Sequence, residues 1–189
     1  MQSSKAALLS GVKTAVARYG IAEFSVRRLT EISGVSVALF YHYFNGKEDA
    51  LCLAYSRENA ALFASLLHYL ERIDALSVDF SAKARLWFHK AWRELLSDPE
   101  RVVFCAAYYH TASYENTQAL YTRQAKQLTE RVGKYFKTDD GCTQTLYLLL
   151  PLLFDSAKRV IYGSAEDTLE TENAVYAMLY GMISPQINA

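Results

Sequence analysis

Residues 25–51 read SVRRLTEISGVSVALFYHYFNGKEDAL, and this stretch decides how the chain folds. Ser25 and Ser36 are each suited to begin a short helix, because a serine hydroxyl accepts a hydrogen bond from a backbone N–H of the first turn. Gly34 lies between the two helices and permits a sharp turn. A third helix is expected to begin near Lys47. Two short helices joined at a glycine are typical of a helix-turn-helix, whose second helix enters the DNA major groove.

The second helix of this pair opens with the apolar residues Val37, Ala38 and Leu39. None of these side chains donates or accepts a hydrogen bond, so bidentate recognition of a base edge is not available to them. They can contact thymine methyl groups instead. An exposed apolar patch is also typical of a protein contact, and the sequence leaves that alternative open.

The distribution of charge along the chain gives modest support to DNA binding by residues 25–51. The 189-residue chain is 51% hydrophobic and 21% charged, and its formal net charge is zero. No global field therefore draws the protein toward nucleic acid. The first fifty residues nevertheless carry an excess of basic over acidic side chains, which has the sign that an N-terminal DNA-binding module requires. The basic ones are Lys5, Lys13, Arg18, Arg27, Arg28 and Lys47, against Glu23, Glu31, Glu48 and Asp49.

Other classes of protein find little support in the sequence. Cys52, Cys105 and Cys142 are widely spaced, which suits reduced thiols rather than a disulfide framework or a zinc site. The longest apolar run, 146–154, is too short to span a bilayer. There is no secretory signal, no Gly-rich phosphate loop, no HExxH and no GxSxG. We therefore expect a cytoplasmic protein that is not an enzyme, with no cofactor, metal or membrane partner.

Apolar residues recur at three- and four-residue steps along most of the chain, which predicts an all-α fold. The first predicted helix ends at Gly20, and the helix-turn-helix pair follows it. Six further helices are predicted at 47–70, 82–96, 100–113, 116–136, 142–162 and 165–183. Pro151 is expected to kink the eighth helix unless a neighbouring group compensates for its missing N–H.

Residues 25–51 resemble the DNA-binding motif of the tetracycline-repressor (TetR/AcrR) family of bacterial regulators. The matching residues are Gly34-Val35-Ser36, Tyr41-His42-Tyr43-Phe44, Lys47-Glu48 and Leu51. The resemblance implies a nine-helix architecture, with a three-helix DNA-binding domain at 1–46 and a ligand-binding and dimerisation domain at 47–189. It also implies a ligand-responsive transcriptional regulator, most often a repressor that a small effector releases from its operator.

The resemblance and the residue chemistry together suggest a set of DNA contacts. Arg27 and Arg28 lie in the first turn of their helix and can grip phosphate, while Lys47 matches the usual phosphate contact of the family. Alternatively, the arginine pair is a solvated face and the tyrosine and histidine positions have only structural roles. The candidate residues are Ser25, Arg27, Arg28, Ser36, Val37, Ala38, Leu39, Tyr41, His42 and Lys47.

The larger part of the chain is rich in aromatic residues, several with a polar tip suited to orienting a ligand in an apolar cavity. We expect a small hydrophobic or aromatic effector there, and a homodimer through the last two helices. Aromatic residues at helical spacing also suit a packed core, so that interpretation stays open. The candidate ligand-binding residues are Trp87, Phe104, Tyr108, Tyr109, His110, Tyr114, Tyr147 and Phe154.

A second function, from another class, is also consistent with the sequence. The apolar start at Val37 and the zero net charge suit a helical ligand-binding or protein-interaction module that keeps this fold but has lost sequence-specific DNA binding. Such a module would bind all DNA sequences weakly and equally, and it would lose that binding as salt rises.

Overall fold

A computed structural model describes residues 4–112, 114 and 123–187 of the protein, without the side chains of 123–125, 139–144, 146 and 147. Within these residues nine α-helices have defined bounds and no strand is present, which confirms the all-α prediction. A short 3-10 helix, Ser184–Gln186, follows the last of them. The helices are α1 (Ser4–Tyr19), α2 (Val26–Ser33), α3 (Val37–Tyr43), α4 (Lys47–Asp74), α5 (Phe80–Leu96), α6 (Pro99–Tyr109), α7 (Arg123–Gly133), α8 (Asp139–Ile161) and α9 (Leu169–Ile183).

The predicted caps and turn of the helix-turn-helix are confirmed. The Ser25 hydroxyl accepts a hydrogen bond from the Arg28 backbone N–H at 3.3 Å, and the Ser36 hydroxyl accepts one from the Leu39 N–H at 3.3 Å. Gly34 adopts a left-handed conformation with φ of 67°, and its N–H donates to the Thr30 carbonyl. Because a side chain is strained at such a φ, glycine is the residue this turn requires.

Helices α1 and α2 approach each other closely at Gly11. A Cβ atom at that position would lie 2.9 Å from Cδ1 of Leu29, which is fully buried against α1. The rest of this small core consists of apolar residues of α1 together with Phe40 and Phe44, the two phenylalanines that anchor α3. The core holds α3 by one face and leaves its other face in solvent.

Several helix bounds differ from the prediction, and local hydrogen bonds explain two of them. α5 begins at Phe80 because the Asp79 carboxylate accepts from the Ala82 N–H at 2.8 Å. α9 begins at Leu169 because the Thr168 hydroxyl caps it. α4 continues to Asp74, and α8 runs from Asp139 to Ile161 with Pro151 inside it. α6 ends at Tyr109, and parts of the helices predicted at 100–113 and 116–136 lie outside the described residues.

The chain forms two compact units. The first contains 1–59 and 100–121, and the second contains 60–99 and 122–189, as far as those residues are described. α4 is therefore divided between the units, and α6 packs with the N-terminal helices. The predicted functional boundary between residues 46 and 47 stays a prediction. No described helix is both long and apolar enough to cross a membrane.

Candidate nucleic-acid interface

The solvent face of α3 is apolar over its first turn. Phe40 is completely buried, whereas Val37 and Leu39 are 48% and 39% exposed and Tyr41 is 60% exposed. Ala38 is exposed as well. The Tyr41 ring packs edge-on against the buried Phe40 ring, with centroids 5.1 Å apart. This contact with the core holds the Tyr41 ring in its orientation. The predicted reading residues of α3 are therefore accessible from solvent, although Val37 and Leu39 point to different sides of the helix.

Arg27 and Arg28 differ in how firmly they are held. Arg27 is highly exposed and pairs with Glu31 at 2.9 Å, an i,i+4 surface pair worth about 1 kcal/mol or less. A DNA phosphate can replace that carboxylate at little cost. Arg28 instead donates from Nη1 to the Glu23 carbonyl at 2.7 Å and to its carboxylate at 3.1 Å. Its guanidinium also lies over the Tyr19 ring at 4.7 Å, so Arg28 helps hold the connection between α1 and α2.

The turn between α3 and α4 presents the remaining predicted DNA contacts. Lys47 is exposed at the first position of α4, where backbone N–H groups also favour an anion, and His42 is exposed near the end of α3. The Asp49 carboxylate accepts from the Asn45 backbone N–H at 2.9 Å and stabilises this turn. Ser25 and Ser36 act as helix caps, and their contact with DNA stays a prediction.

Helix α6 is bonded to the N-terminal helices by charged groups that sequence analysis did not identify. The Thr14 hydroxyl donates to the Glu100 carboxylate at 2.7 Å. The largely buried Glu58 carboxylate lies 3.3 Å from Arg101 Nε and 3.7 Å from Lys13 Nζ. These residues are far apart in sequence, and no local pattern reveals that they meet.

Four predicted ligand-binding residues belong instead to an aromatic cluster in the first unit. Tyr55, which sequence analysis missed, stacks on Tyr108 with centroids 4.6 Å apart and contacts Tyr109 and Tyr114 edge-on. Phe104 and Tyr108 have no exposed surface. Burial is the main cause that raises the pKa of Tyr55 and of Tyr109 far above the usual range, so both phenols stay protonated. These contacts are those of a packed core.

The second unit contains an apolar cavity of about 110 Å³. Trp87, a predicted ligand-binding residue, lines it and donates its indole N–H to the Leu66 carbonyl at 3.0 Å. A second cavity of about 80 Å³ is also lined by Ala84 and Trp87. The other walls of the larger cavity are Phe63, Leu66, Ala84, Phe88, Ala91, Leu128, Leu149, Leu150, Leu153, Tyr176, Leu179, Tyr180 and Ile183.

The last three predicted ligand-binding residues lie elsewhere. His110 is exposed just after α6, and Phe154 is completely buried in α8. The side chain of Tyr147 lies outside the described ones. Of the predicted ligand-binding residues, Trp87 lines the cavity of the second unit, and the binding role of the others stays a prediction.

A buried carboxylate joins α5 to α9 in the second unit. Glu172 is 1% exposed, and it lies 2.9 Å from Arg93 Nη2 and 2.8 Å from His89 Nδ1. Burial by itself raises the pKa of Glu172, but the hydrogen bonds and charges of His89 and Arg93 outweigh it. The net pKa of Glu172 lies below its ordinary value, so the carboxylate is charged at neutral pH.

The last two helices expose apolar side chains at spacings of one turn. On α8, Leu148 is 63% exposed and Leu152 follows four residues later. On α9, Met178 and Met182 show the same spacing and are 45% and 40% exposed. Exposed apolar stripes of this kind are typical of surfaces that a partner covers.

Comparison with known proteins agrees with this geometry. Residues 8–51 match the family described as bacterial regulatory proteins, tetR family. The HTH-type transcriptional repressor AcnR of Corynebacterium glutamicum is 30% identical over 99 residues. That match covers 52% of this chain and 44% of AcnR, so the chain aligns with less than half of that relative.

Solved structures extend the likeness to the whole chain at the level of the fold. A TetR family regulator from Marinobacter aquaeolei has a TM-score of 0.73 at 20% identity, covering 98% of this chain and 96% of its own. A TetR family regulator from Shewanella has a TM-score of 0.76 at 12% identity, and the match covers 99% of this chain and 100% of that regulator. The fatty acid degradation regulator FadR from Bacillus halodurans has a TM-score of 0.66 at 16% identity, and the match covers 93% of this chain and 97% of FadR. Residues 8–51, with their capped helix-turn-helix, thus match the tetR family of bacterial regulatory proteins, and the chain as a whole shares the fold of solved TetR-family regulators.

Proposed function

We propose that this protein is a transcriptional repressor that binds an operator through α3 and leaves it when a small hydrophobic or aromatic effector binds. The exposed face of α3, held on a capped helix-turn-helix that matches the family, carries the proposal. The repressor name of the Corynebacterium relative supports the direction of the response.

DNA binding by this module requires two copies of the chain. Each copy places α3 in a major groove, and the two half-sites lie about one helical turn or a multiple of it apart. Arg27 in α2 and Lys47 at the start of α4 are exposed cations that can meet phosphates. A two-fold dimer then reads a pseudo-palindromic operator.

The effector site that we propose is the apolar cavity of the second unit. An engineered apolar cavity of about 150 Å³ is known to bind benzene, so about 110 Å³ suits a small ring or a short alkyl chain. Its walls are aliphatic and aromatic, which favours a neutral ligand over a carboxylate because a buried unpaired charge is costly.

The effector signal has a short route to the DNA-binding helices. Ala84, Phe88 and Ala91 on α5 line the cavity, and only Ser97 and Asp98 separate α5 from α6. The first turn of α6 is bonded to α1 through the Glu100–Thr14 hydrogen bond. We propose that a ligand that displaces α5 shifts α6 and with it α1, which changes the spacing of the two α3 helices.

The proposed function is tested by incubating the purified protein with sheared DNA of its native genome and sequencing the retained fragments. We expect saturable enrichment of a few fragments that share a pseudo-palindrome, and loss of retention when the effector is added. Retention of all fragments in proportion to their abundance contradicts the proposal and supports the module that has lost specific DNA binding.

Filling the cavity should abolish ligand binding without affecting DNA binding. We expect toluene at ten times its Kd to stabilise the wild-type protein by about 1.4 kcal/mol and the Ala84→Phe variant by almost nothing. Thermal unfolding with and without toluene measures this difference. Leu86→Phe, on an exposed position of the same helix, is the matched control and should respond like the wild type. An undiminished response of Ala84→Phe would place the ligand elsewhere.

The apolar stripes on α8 and α9 predict the dimer interface. We expect Leu148→Glu to weaken dimerisation about 100-fold, because an isologous interface loses the burial of this leucine twice. Sedimentation velocity over a range of protein concentrations measures the change. Leu76→Glu, at a leucine that is 43% exposed between α4 and α5, should leave the dimer intact. A Leu148→Glu variant that dimerises normally would exclude α8 from the interface.

A further inference from the structure

We infer that α3 selects its DNA sequence mainly through the methyl groups of thymine, read by Val37, Ala38 and Leu39. The inference rests on the proposed DNA binding and specifies which base edges the protein recognises. It makes the operator half-site rich in thymine at the positions under the first turn of α3.

The chemistry of the exposed α3 surface points to this choice. The C5 methyl group of thymine is the apolar group that a base pair presents in the major groove, whereas guanine presents two acceptors and cytosine a donor. Val37 and Leu39 are about half and two-fifths exposed and offer only carbon to whatever they meet. Burying a polar base edge under them leaves its donors or acceptors without partners, which is costly. Because thymine also presents a polar O4 atom, its methyl group is what these side chains can distinguish, and it favours thymine over the other bases.

The arginines of the module lie outside the first turn of α3. Arg27 and Arg28 lie on α2, which precedes the turn, and each is paired with a carboxylate, Glu31 and Glu23 respectively. Arg28 is further held by the ring of Tyr19. Among the described side chains of α3, the polar groups belong to its second turn, on Tyr41, His42 and Tyr43. The first turn of α3 therefore recognises the shape of the DNA and the methyl groups of its thymines.

The test uses duplexes selected from a random-sequence library by the dimeric protein. Each thymine of the selected half-site is replaced singly by deoxyuridine, which differs only by the missing methyl group. We expect about fourfold weaker binding for each methyl that α3 buries, and no change at thymines outside the half-site. Polarisation titration of labelled duplexes gives the ratio.

A protein variant tests the same contact from the other side. Val37→Thr keeps the shape of the side chain but replaces one methyl group by a hydroxyl. We expect this variant to lose its preference for thymine over deoxyuridine at one position, while circular dichroism shows an unchanged helix content. Val78→Thr, at an exposed valine between α4 and α5, is the control and should keep the preference.

The outcomes separate this inference from the proposed function. Selected duplexes that bind equally well with all their thymines replaced would overturn the inference and leave specific DNA binding in place. Failure of the protein to enrich any duplex would overturn both. If the exposed face of α3 binds another protein instead, this second result is the one expected.

Discussion

Replacing Leu39 by aspartate is expected to weaken operator binding at least about 100-fold without unfolding the protein. Leu39 is 39% exposed on the face of α3 that we place in the major groove. A carboxylate there faces phosphates and base acceptors, and like-charge contacts of this kind cost several kcal/mol. Its Cα stays in the first turn of α3, where the Ser36 hydroxyl still accepts the hydrogen bond of its backbone N–H.

Polarisation titration against the operator at fixed salt measures this loss, and thermal unfolding confirms that the variant is folded. The matched control is Leu76→Asp, which adds the same charge at a leucine that is 43% exposed and outside the helix-turn-helix. We expect the control to bind within about twofold of the wild type, because distant exposed charges are largely screened. Normal binding by Leu39→Asp would mean that α3 does not enter the groove.

Replacing Glu172 by alanine is expected to lower the free energy of unfolding by about 1.5–3 kcal/mol, the range for hydrogen bonds to charged groups. The carboxylate is buried between Arg93 and His89, with Arg85 Nη2 at 3.8 Å. Its removal takes the buried carboxylate away from Arg93 and Arg85, although Arg93 keeps its ion pair with Asp167 at 3.1 Å. A loss of this size is a large share of the 5–15 kcal/mol that stabilises an ordinary domain.

Urea denaturation of the wild type and the variant at neutral pH measures the effect. Glu130→Ala is the control, because Glu130 forms an exposed i,i+4 pair with Lys126 and should contribute less than about 0.5 kcal/mol. A loss below about 1 kcal/mol for Glu172→Ala would show that the ion pairs only compensate for burying the carboxylate.

The pH dependence of stability provides an independent check on Glu172. Its folded-state pKa is lowered, so its contribution is fully present above the usual glutamate range, about 4.3. The contribution is lost as the pH falls below that range and through the folded pKa. The wild type should therefore lose more stability than Glu172→Ala on acidification, and parallel curves for the two proteins would contradict the assignment.

Local features of the fold were predictable because their chemistry is contained in a few neighbouring residues. Ser25 and Ser36 cap their helices as their sequence positions indicate, and Gly34 takes the left-handed conformation that the turn needs. The ends of the longer helices were less predictable. Asp79 and Thr168 determine two helix starts through a single hydrogen bond each, and nearby polar residues compete for the same role.

Features that depend on distant residues were not predictable. The close contact between Gly11 and Leu29 and the ion pairs of Glu58 and Glu172 join separate helices, and nothing in the local pattern marks them. The cavity was not predictable from the sequence for the same reason. Ala84 and Ala91 create its space by being small, whereas Phe104, which looked suited to a ligand, packs completely in the core.

Specific recognition of DNA is tested most directly by one ratio of affinities. It compares the binding of the dimeric protein to its best selected duplex with its binding to a scrambled duplex of the same composition, in about 150 mM salt. A sequence-reading α3 predicts a ratio of about 1,000 or more. A ratio near one, with both affinities falling steeply and equally as salt rises, would show that the protein contacts phosphates alone and would contradict its assignment as an operator-binding repressor.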